Sequence, residues 1–248
     1  MSKDALGWRK KFGVLAPSTN TIVQPDFHRM EVPGVTSHTS RIHIIDQDLS
    51  NDQAMLRLLD QIRDEILRAI DRVKTAEVDY LVMGMSAETF WGGLEGSKAF
   101  VKRIEDYSGL KVATGSRSCM TALEQFNVKN VGVITPYQPI ADENVRKFFS
   151  EIGMNIVKLT GLRCPTAVAI AEVPEEVLRA TLLEMNDDSI EAFVQVGTNL
   201  SMVRLADEAE RWLGKPVIAI NAATWWYALR QNGINDKVYG CGRLLREF

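Results

Sequence analysis

Hydrophobic positions along the chain fall into two alternating textures. Compact apolar runs occupy residues 12–16, 80–84, 112–114, 131–135, 193–196 and 217–220. Each is bounded by turn residues, as strands covered on both faces of a parallel sheet tend to be. Residues 36–45 read as a further strand. Longer stretches with helical spacing lie between them. Residues 53–76 place Leu58, Leu59, Ile62, Ile66, Ile70 and Val73 on one face, which lays a single apolar stripe along a helix. Residues 144–152 and 175–185 repeat the pattern, the second with Pro174 as a first-turn residue. Strands and helices taking turns predict an α/β fold of mainly parallel sheets flanked by helices.

The two halves of the chain echo each other. Gly13-Val-Leu-Ala-Pro-Ser18 resembles Gly132-Val-Ile-Thr-Pro-Tyr137, and Asp79-Tyr-Leu-Val-Met-Gly-Met-Ser86 resembles Glu191-Ala-Phe-Val-Gln-Val-Gly-Thr198. A third pair joins Lys111-Val-Ala-Thr-Gly-Ser116 to Lys215-Pro-Val-Ile-Ala-Ile-Asn221, in the same order in both halves. Three collinear matches predict two pseudo-symmetric lobes, residues 1–127 and 128–248, with 225–248 able to pack back on the first. Open parallel sheets bind ligands at the carboxyl ends of their strands. The expected site is therefore a cleft between the lobes, built from the turns 17–20, 85–88, 116–119, 136–137, 197–199 and 221–224.

Composition narrows the partners. The formal charge is −3 over 248 residues, with acidic and basic positions interleaved, so no basic face is offered to a nucleic acid. Hydrophobic residues at 46% and charged residues at 25% exclude disorder as the main state. Cys119, Cys164 and Cys241 are scattered without a CxxC pair, which suits neither a disulfide framework nor a zinc site. The charged start of the chain and the absence of a long apolar run predict neither a secretion signal nor a membrane span. A cytoplasmic location is expected, as is a homodimer or higher homo-oligomer.

The strand-end turns are rich in Ser, Thr, Asn and Gly, residues that supply hydroxyls, side-chain amides and free backbone N–H groups. Such turns hold anions. A small mono- or dicarboxylate is the expected ligand, bound through Ser18, Asn20, Met85, Ser86, Tyr137, Gly197, Thr198 and Asn199. Ser, Thr and Asn are also the commonest helix caps, so any one of them taken singly reads more readily as a cap, whereas all six turns together point to a ligand. Gly92-Gly-Leu-Glu-Gly96 lacks the order of a phosphate loop, and His28, His38 and His43 form no metal-binding pattern. Glu88 is a candidate base and Arg117 a candidate carboxylate partner. Phe90-Trp91 and Trp225-Trp226-Tyr227 read as packing.

The motifs Ala16-Pro-Ser-Thr-Asn20-Thr and Met83-Gly-Met-Ser86-Ala, with Thr135-Pro-Tyr137 and Leu213-Gly-Lys-Pro-Val-Ile218, resemble the maleate isomerase and arylmalonate decarboxylase branch of the aspartate/glutamate racemase superfamily. The resemblance runs through nearly the full chain and implies two α/β lobes with the active site between them. In maleate isomerases it implies an Asn in the first turn, a Cys after the second strand, a Tyr opening the second lobe and a second Cys near the end. Asn20 and Tyr137 match. Ser86 stands where the first cysteine is expected, and Gly197 or Thr198 where the second is. The decarboxylases carry a hydroxyl residue at the first position but keep the late cysteine as proton donor. Racemase chemistry by paired thiols is therefore excluded at these positions. Cys119 is the one thiol expected near a strand end. The resemblance implies a cofactor-independent, maleate isomerase-like enzyme acting at the carbon next to a carboxylate, with Ser86, Tyr137 and Cys119 as catalytic candidates. The alternatives are a decarboxylase-like lyase or a carboxylate-binding protein without catalysis.

Overall fold

The computed structural model describes residues 4–49 and 51–248; the first residues of the charged N-terminal stretch lie outside it. The first half runs β1 (Lys10–Pro17), α1 (Val23–Arg29), β2 (Val35–Ile42), α2 (Asp52–Lys74), β3 (Tyr80–Met83), α3 (Ala87–Phe90), α4 (Gly93–Ser108), β4 (Val112–Ala113) and α5 (Gly115–Phe126). The second runs β5 (Asn130–Thr135), α6 (Pro139–Glu151), β6 (Asn155–Gly161), a 3₁₀ turn (Ala169–Glu172), α7 (Glu175–Met185), β7 (Ala192–Gln195), α8 (Val203–Leu213), β8 (Val217–Ala219), α9 (Ile220–Gln231) and α10 (Arg243–Glu247). Two four-stranded parallel sheets result, ordered β2-β1-β3-β4 and β6-β5-β7-β8. The order is the same in both, so the three echoed motifs occupy equivalent places: β1 with β5, β3 with β7, β4 with β8.

Local sequence explains the elements. The α2 stripe buries Leu58, Leu59, Ile62, Ile66, Ile70 and Val73, and Asn51 caps the helix by accepting the Ala54 N–H at 3.0 Å. α6 begins earlier than its apolar periodicity suggests because Pro139 opens its first turn. Pro174 sits at the cap of α7 rather than inside it. β6 carries no compact apolar run. It is an edge strand, half-buried along its length, so neither strand signature is imposed on it.

The last long helix crosses back to the first half. α9 packs on α5, β3 and β4. Trp225, fully buried, stacks on Phe27 at 5.0 Å, meets Phe12 edge-on at 5.3 Å, and donates its indole N–H to the Met30 carbonyl at 2.7 Å. Phe90 from α3 packs edge-on against Phe148 of α6 at 5.1 Å. Among the described residues no helix is long and apolar enough to cross a membrane.

The C-terminal α10 is docked through Glu210 of α8. Its buried carboxylate accepts the Arg243 N–H at 2.8 Å and the Val217 N–H at 3.2 Å. Burial outweighs these bonds and raises its pKa to about 7 from 4.5. Because the folded state holds this proton more tightly than the unfolded chain, the contribution favours folding fully below pH 4.5 and is lost as pH rises towards about 7. Glu210→Gln is expected to flatten that part of the stability profile, read as urea midpoints between pH 4.5 and 7.5. An unchanged slope contradicts the assignment.

Candidate active site

The central strands of each sheet end on one shared hollow of about 620 Å3, part of it open to solvent. Four of the six expected turns reach it. Pro17, Thr19 and Asn20 follow β1; Met85, Ser86 and Ala87 follow β3; Pro136, Tyr137 and Gln138 follow β5; Gly197, Thr198 and Asn199 follow β7. The strand order places β1 beside β3 and β5 beside β7, and ligands in open α/β sheets sit where the order reverses. The turns after β4 and β8 stand at the far edges and do not line it.

Hydrogen bonds join the halves across this hollow. The Asn20 amide donates to Thr198 Oγ1 at 3.0 Å, and that hydroxyl donates to the Gly84 carbonyl at 3.0 Å. Asn20 Oδ1 accepts the N–H groups of Ile22 (3.0 Å) and Val23 (2.9 Å), so one side chain both opens α1 and grips the opposite lobe. Asn199 accepts the Thr21 N–H at 3.0 Å and donates to the Ala167 carbonyl at 2.9 Å. Asn221 lies behind the wall, donating to Thr198 O at 3.0 Å and to Asp26 at 2.8 Å. Burial raises the Asp26 pKa to about 6.

Ser86 Oγ and the Tyr137 hydroxyl are 2.8 Å apart and both buried. Two hydroxyls sharing one hydrogen bond leave one proton free to donate to a ligand. Burial pushes the phenol well above its ordinary pKa, partly offset by the Ser86 bond, so it is neutral at physiological pH.

The opposite wall is apolar. Met55, Leu58 and Ile62 of α2 contribute, with Ile44 and Leu49 from the loop after β2 and Ala167 and Ile170 from the segment after β6. These two segments are stitched together: Leu49 N–H donates to the Pro165 carbonyl at 2.7 Å, and Asp46 accepts the Ala167 N–H at 3.0 Å. Among the described residues lining the hollow, no side chain carries a formal charge at neutral pH.

Several sequence-based candidates lie elsewhere. Cys119 is fully buried on α5, the helix that follows the edge strand β4, outside the lining, and desolvation pushes its thiol far up. The thiol that does border the hollow is Cys164, in the segment after the unrecognised β6; burial raises its pKa as well. Ser18 is also outside the lining, its hydroxyl exchanging bonds with the Ile44 backbone at 3.0 and 3.2 Å. Glu88 is pushed up by burial and partly restored by Arg63, which holds it at 2.7 Å. Arg117 acts on Tyr227 instead of the hollow. Gly197 has φ +108°, and a Cβ there would stand 2.6 Å from the Pro136 ring, so a side chain at this turn needs both a rare backbone and a displaced proline.

Two α/β halves thus close on one hollow lined on one side by hydroxyls and amides. The chain belongs to the arylmalonate decarboxylase family, whose model matches residues 22–245. It is 28% identical over 172 residues to an arylmalonate decarboxylase of Bordetella bronchiseptica, covering 67% of this chain and 70% of that one. It is 20% identical over 244 residues to a maleate isomerase of Alcaligenes faecalis, covering 95% and 96%. Among solved structures, the maleate cis-trans isomerase of Nocardia farcinica superposes with a TM-score of 0.86 at 19% identity, covering 96% of this chain and 99% of that one. A structure of arylmalonate decarboxylase gives a TM-score of 0.75 at 19% identity, covering 95% and 98%.

Asn20 makes three bonds from a buried position. Asn20→Ala leaves the N–H groups at the start of α1 without their acceptor and removes the donor to Thr198 Oγ1, which is expected to cost about 2–4 kcal/mol and to lower Tm by roughly 4–16 °C. A Tm unchanged from the parent contradicts a joint at this position.

Proposed function

We propose that this chain is a cofactor-independent lyase that removes carbon dioxide from a small diacid whose two carboxylates share one carbon and whose remaining substituent is apolar. The lining of the hollow supports the reading: an arc of hydroxyls and amides faces an apolar arc, with no charged side chain among the described lining residues. One carboxylate is held by the Ser86–Tyr137 pair. The other is pressed against the apolar wall, where it loses hydration with nothing to replace it. Breaking its bond to the central carbon releases neutral CO2 and moves the electron pair into the retained carboxylate. The resulting enediolate is stabilised by neutral donors already in place. The central carbon then takes a proton from the Cys164 thiol, and the thiolate recovers one from solvent. The net change is diacid dianion plus one proton to monoacid anion plus CO2.

An isomerase of the Nocardia kind, whose structure carries a covalently bound succinylcysteine intermediate, requires a thiol that attacks as thiolate. Here Ser86 and Gly197 occupy the two turns, and burial keeps Cys164 protonated, a state that suits a proton donor better than a nucleophile. The lyase reading is therefore better supported than isomerisation. Three unpaired cysteines suit a reducing cytoplasm.

Phenylmalonate and methylphenylmalonate should release CO2 in the presence of the purified protein, and maleate should yield no fumarate. Cys164→Ser should slow product formation by about 10²-fold or more, and Tyr137→Phe by about 10²–10³-fold. Fumarate from maleate, or an inert wild-type protein with every malonate offered, overturns the reading; an unaffected Cys164→Ser rate removes Cys164 from it.

A further inference from the structure

The reacting wall is held by a brace that the proposed reaction does not itself use. Tyr137 donates its N–H to Thr135 Oγ1 at 3.2 Å, and that hydroxyl donates to Asp142 Oδ1 at 2.5 Å. Arg163 closes the circuit, donating from the single nitrogen Nη1 to Asp142 Oδ2 at 2.5 Å and to the Tyr137 carbonyl. Both backbone groups of Tyr137 are thus gripped. Cys164, the next residue after Arg163, is tied on either side of the same tyrosine: its N–H donates to the Pro136 carbonyl at 3.0 Å, and its carbonyl accepts from the Gln138 amide at 3.2 Å.

Two features mark the arrangement as costly to hold. Arg163 adopts a left-handed backbone with φ +56°, which disfavours a residue bearing a side chain. Asp142 is almost fully buried, and its carboxylate needs the guanidinium to remain ionised there. Gly161 leaves room for the pair, because a Cβ at that position would collide with both the Arg163 guanidinium and the Asp142 carboxylate.

We propose that Asp142 and Arg163 are positioning residues, whose ion pair sets where the Tyr137 hydroxyl and the Cys164 thiol stand on the wall of the hollow. This rests on the lyase reading for its kinetic consequence, but the geometry is measurable without turnover. Arg163→Ala, Asp142→Asn and Gly161→Ala each disturb the brace without altering the identity of any residue that lines the hollow. On phenylmalonate each should lower kcat by roughly 10- to 100-fold with KM changed by less than about threefold, since small misplacements of reacting groups act on the chemical step. Arg163→Lys should restore most of kcat, because one ammonium nitrogen can supply both bonds that Nη1 makes.

The independent readout is the rate at which iodoacetate alkylates Cys164, followed by peptide mass mapping with Cys119 and Cys241 as buried references. The brace variants should change that rate at least fivefold, on the order expected when a thiol's access and ionisation are altered, with both references still protected. Unchanged alkylation in Arg163→Ala and Gly161→Ala overturns the brace whatever the catalytic result. Alkylation of all three cysteines overturns it too, showing a contribution to folding alone. Altered Cys164 alkylation in a protein that decarboxylates nothing supports the brace and rejects the lyase reading.

Discussion

The structure depends on a hydrogen-bonded joint between two similar halves, centred on Thr198 and Asn20. These groups are withdrawn from water, and a buried amide or hydroxyl without a partner costs on the order of 1–3 kcal/mol. Asn20 can be satisfied only if α1 starts beside it and Thr198 stands opposite; Thr198 needs Gly84 and Asn20 together. The lobes are thereby fixed in the one arrangement that brings β1, β3, β5 and β7 to a common hollow. Ser86 and Tyr137, contributed by different halves, meet at 2.8 Å because of it.

Among the described residues lining that hollow, no side chain carries a formal charge. For the proposed lyase, a cationic lining would stabilise the bound diacid and deepen the well from which CO2 leaves. Neutral donors on one side and hydrocarbon on the other favour instead the state in which charge has moved from the departing carboxylate into the retained one. Ser86 and Gly197 stand in the turns after β3 and β7 on this wall. Ser86 supplies a hydroxyl already paired with Tyr137, and Gly197 adopts a backbone that leaves no room for a side chain against Pro136. The thiol that remains on the wall enters from a different segment, after β6.

What the sequence discloses follows from which interactions are local. The central strands are legible because burial on both faces demands continuous apolar runs, and their turns carry Asn20, Ser86, Tyr137 and Thr198 directly behind them. The internal repeat carries the equivalence of the two sheets in the sequence itself. β6 is hidden because it is half-buried along nearly its whole length and shows neither a continuous apolar run nor a strict alternation. Everything placed by it stayed hidden too, including Arg163, Cys164 and Ile170. Cys119 looked suitable because it follows a strand end, but β4 is an outer strand and its turn points away from the hollow. Leu58 and Ile62 are readable as the buried face of α2, whereas Met55 is not part of that stripe; the same periodicity serves a core and a cavity wall, so no pattern separates the two. Glu88 shows the same limit, since its partner Arg63 lies 25 residues upstream on α2.

A crystal structure with an arylacetate, the product-like monoacid, tests the central claim most directly. The account predicts its carboxylate within hydrogen-bond distance of both the Ser86 and Tyr137 hydroxyls, its ring against Leu58 and Ile62, and its α-carbon facing the Cys164 sulfur. A carboxylate seated on an arginine outside the hollow, or an α-carbon turned away from Cys164 with the ring in solvent, would contradict it.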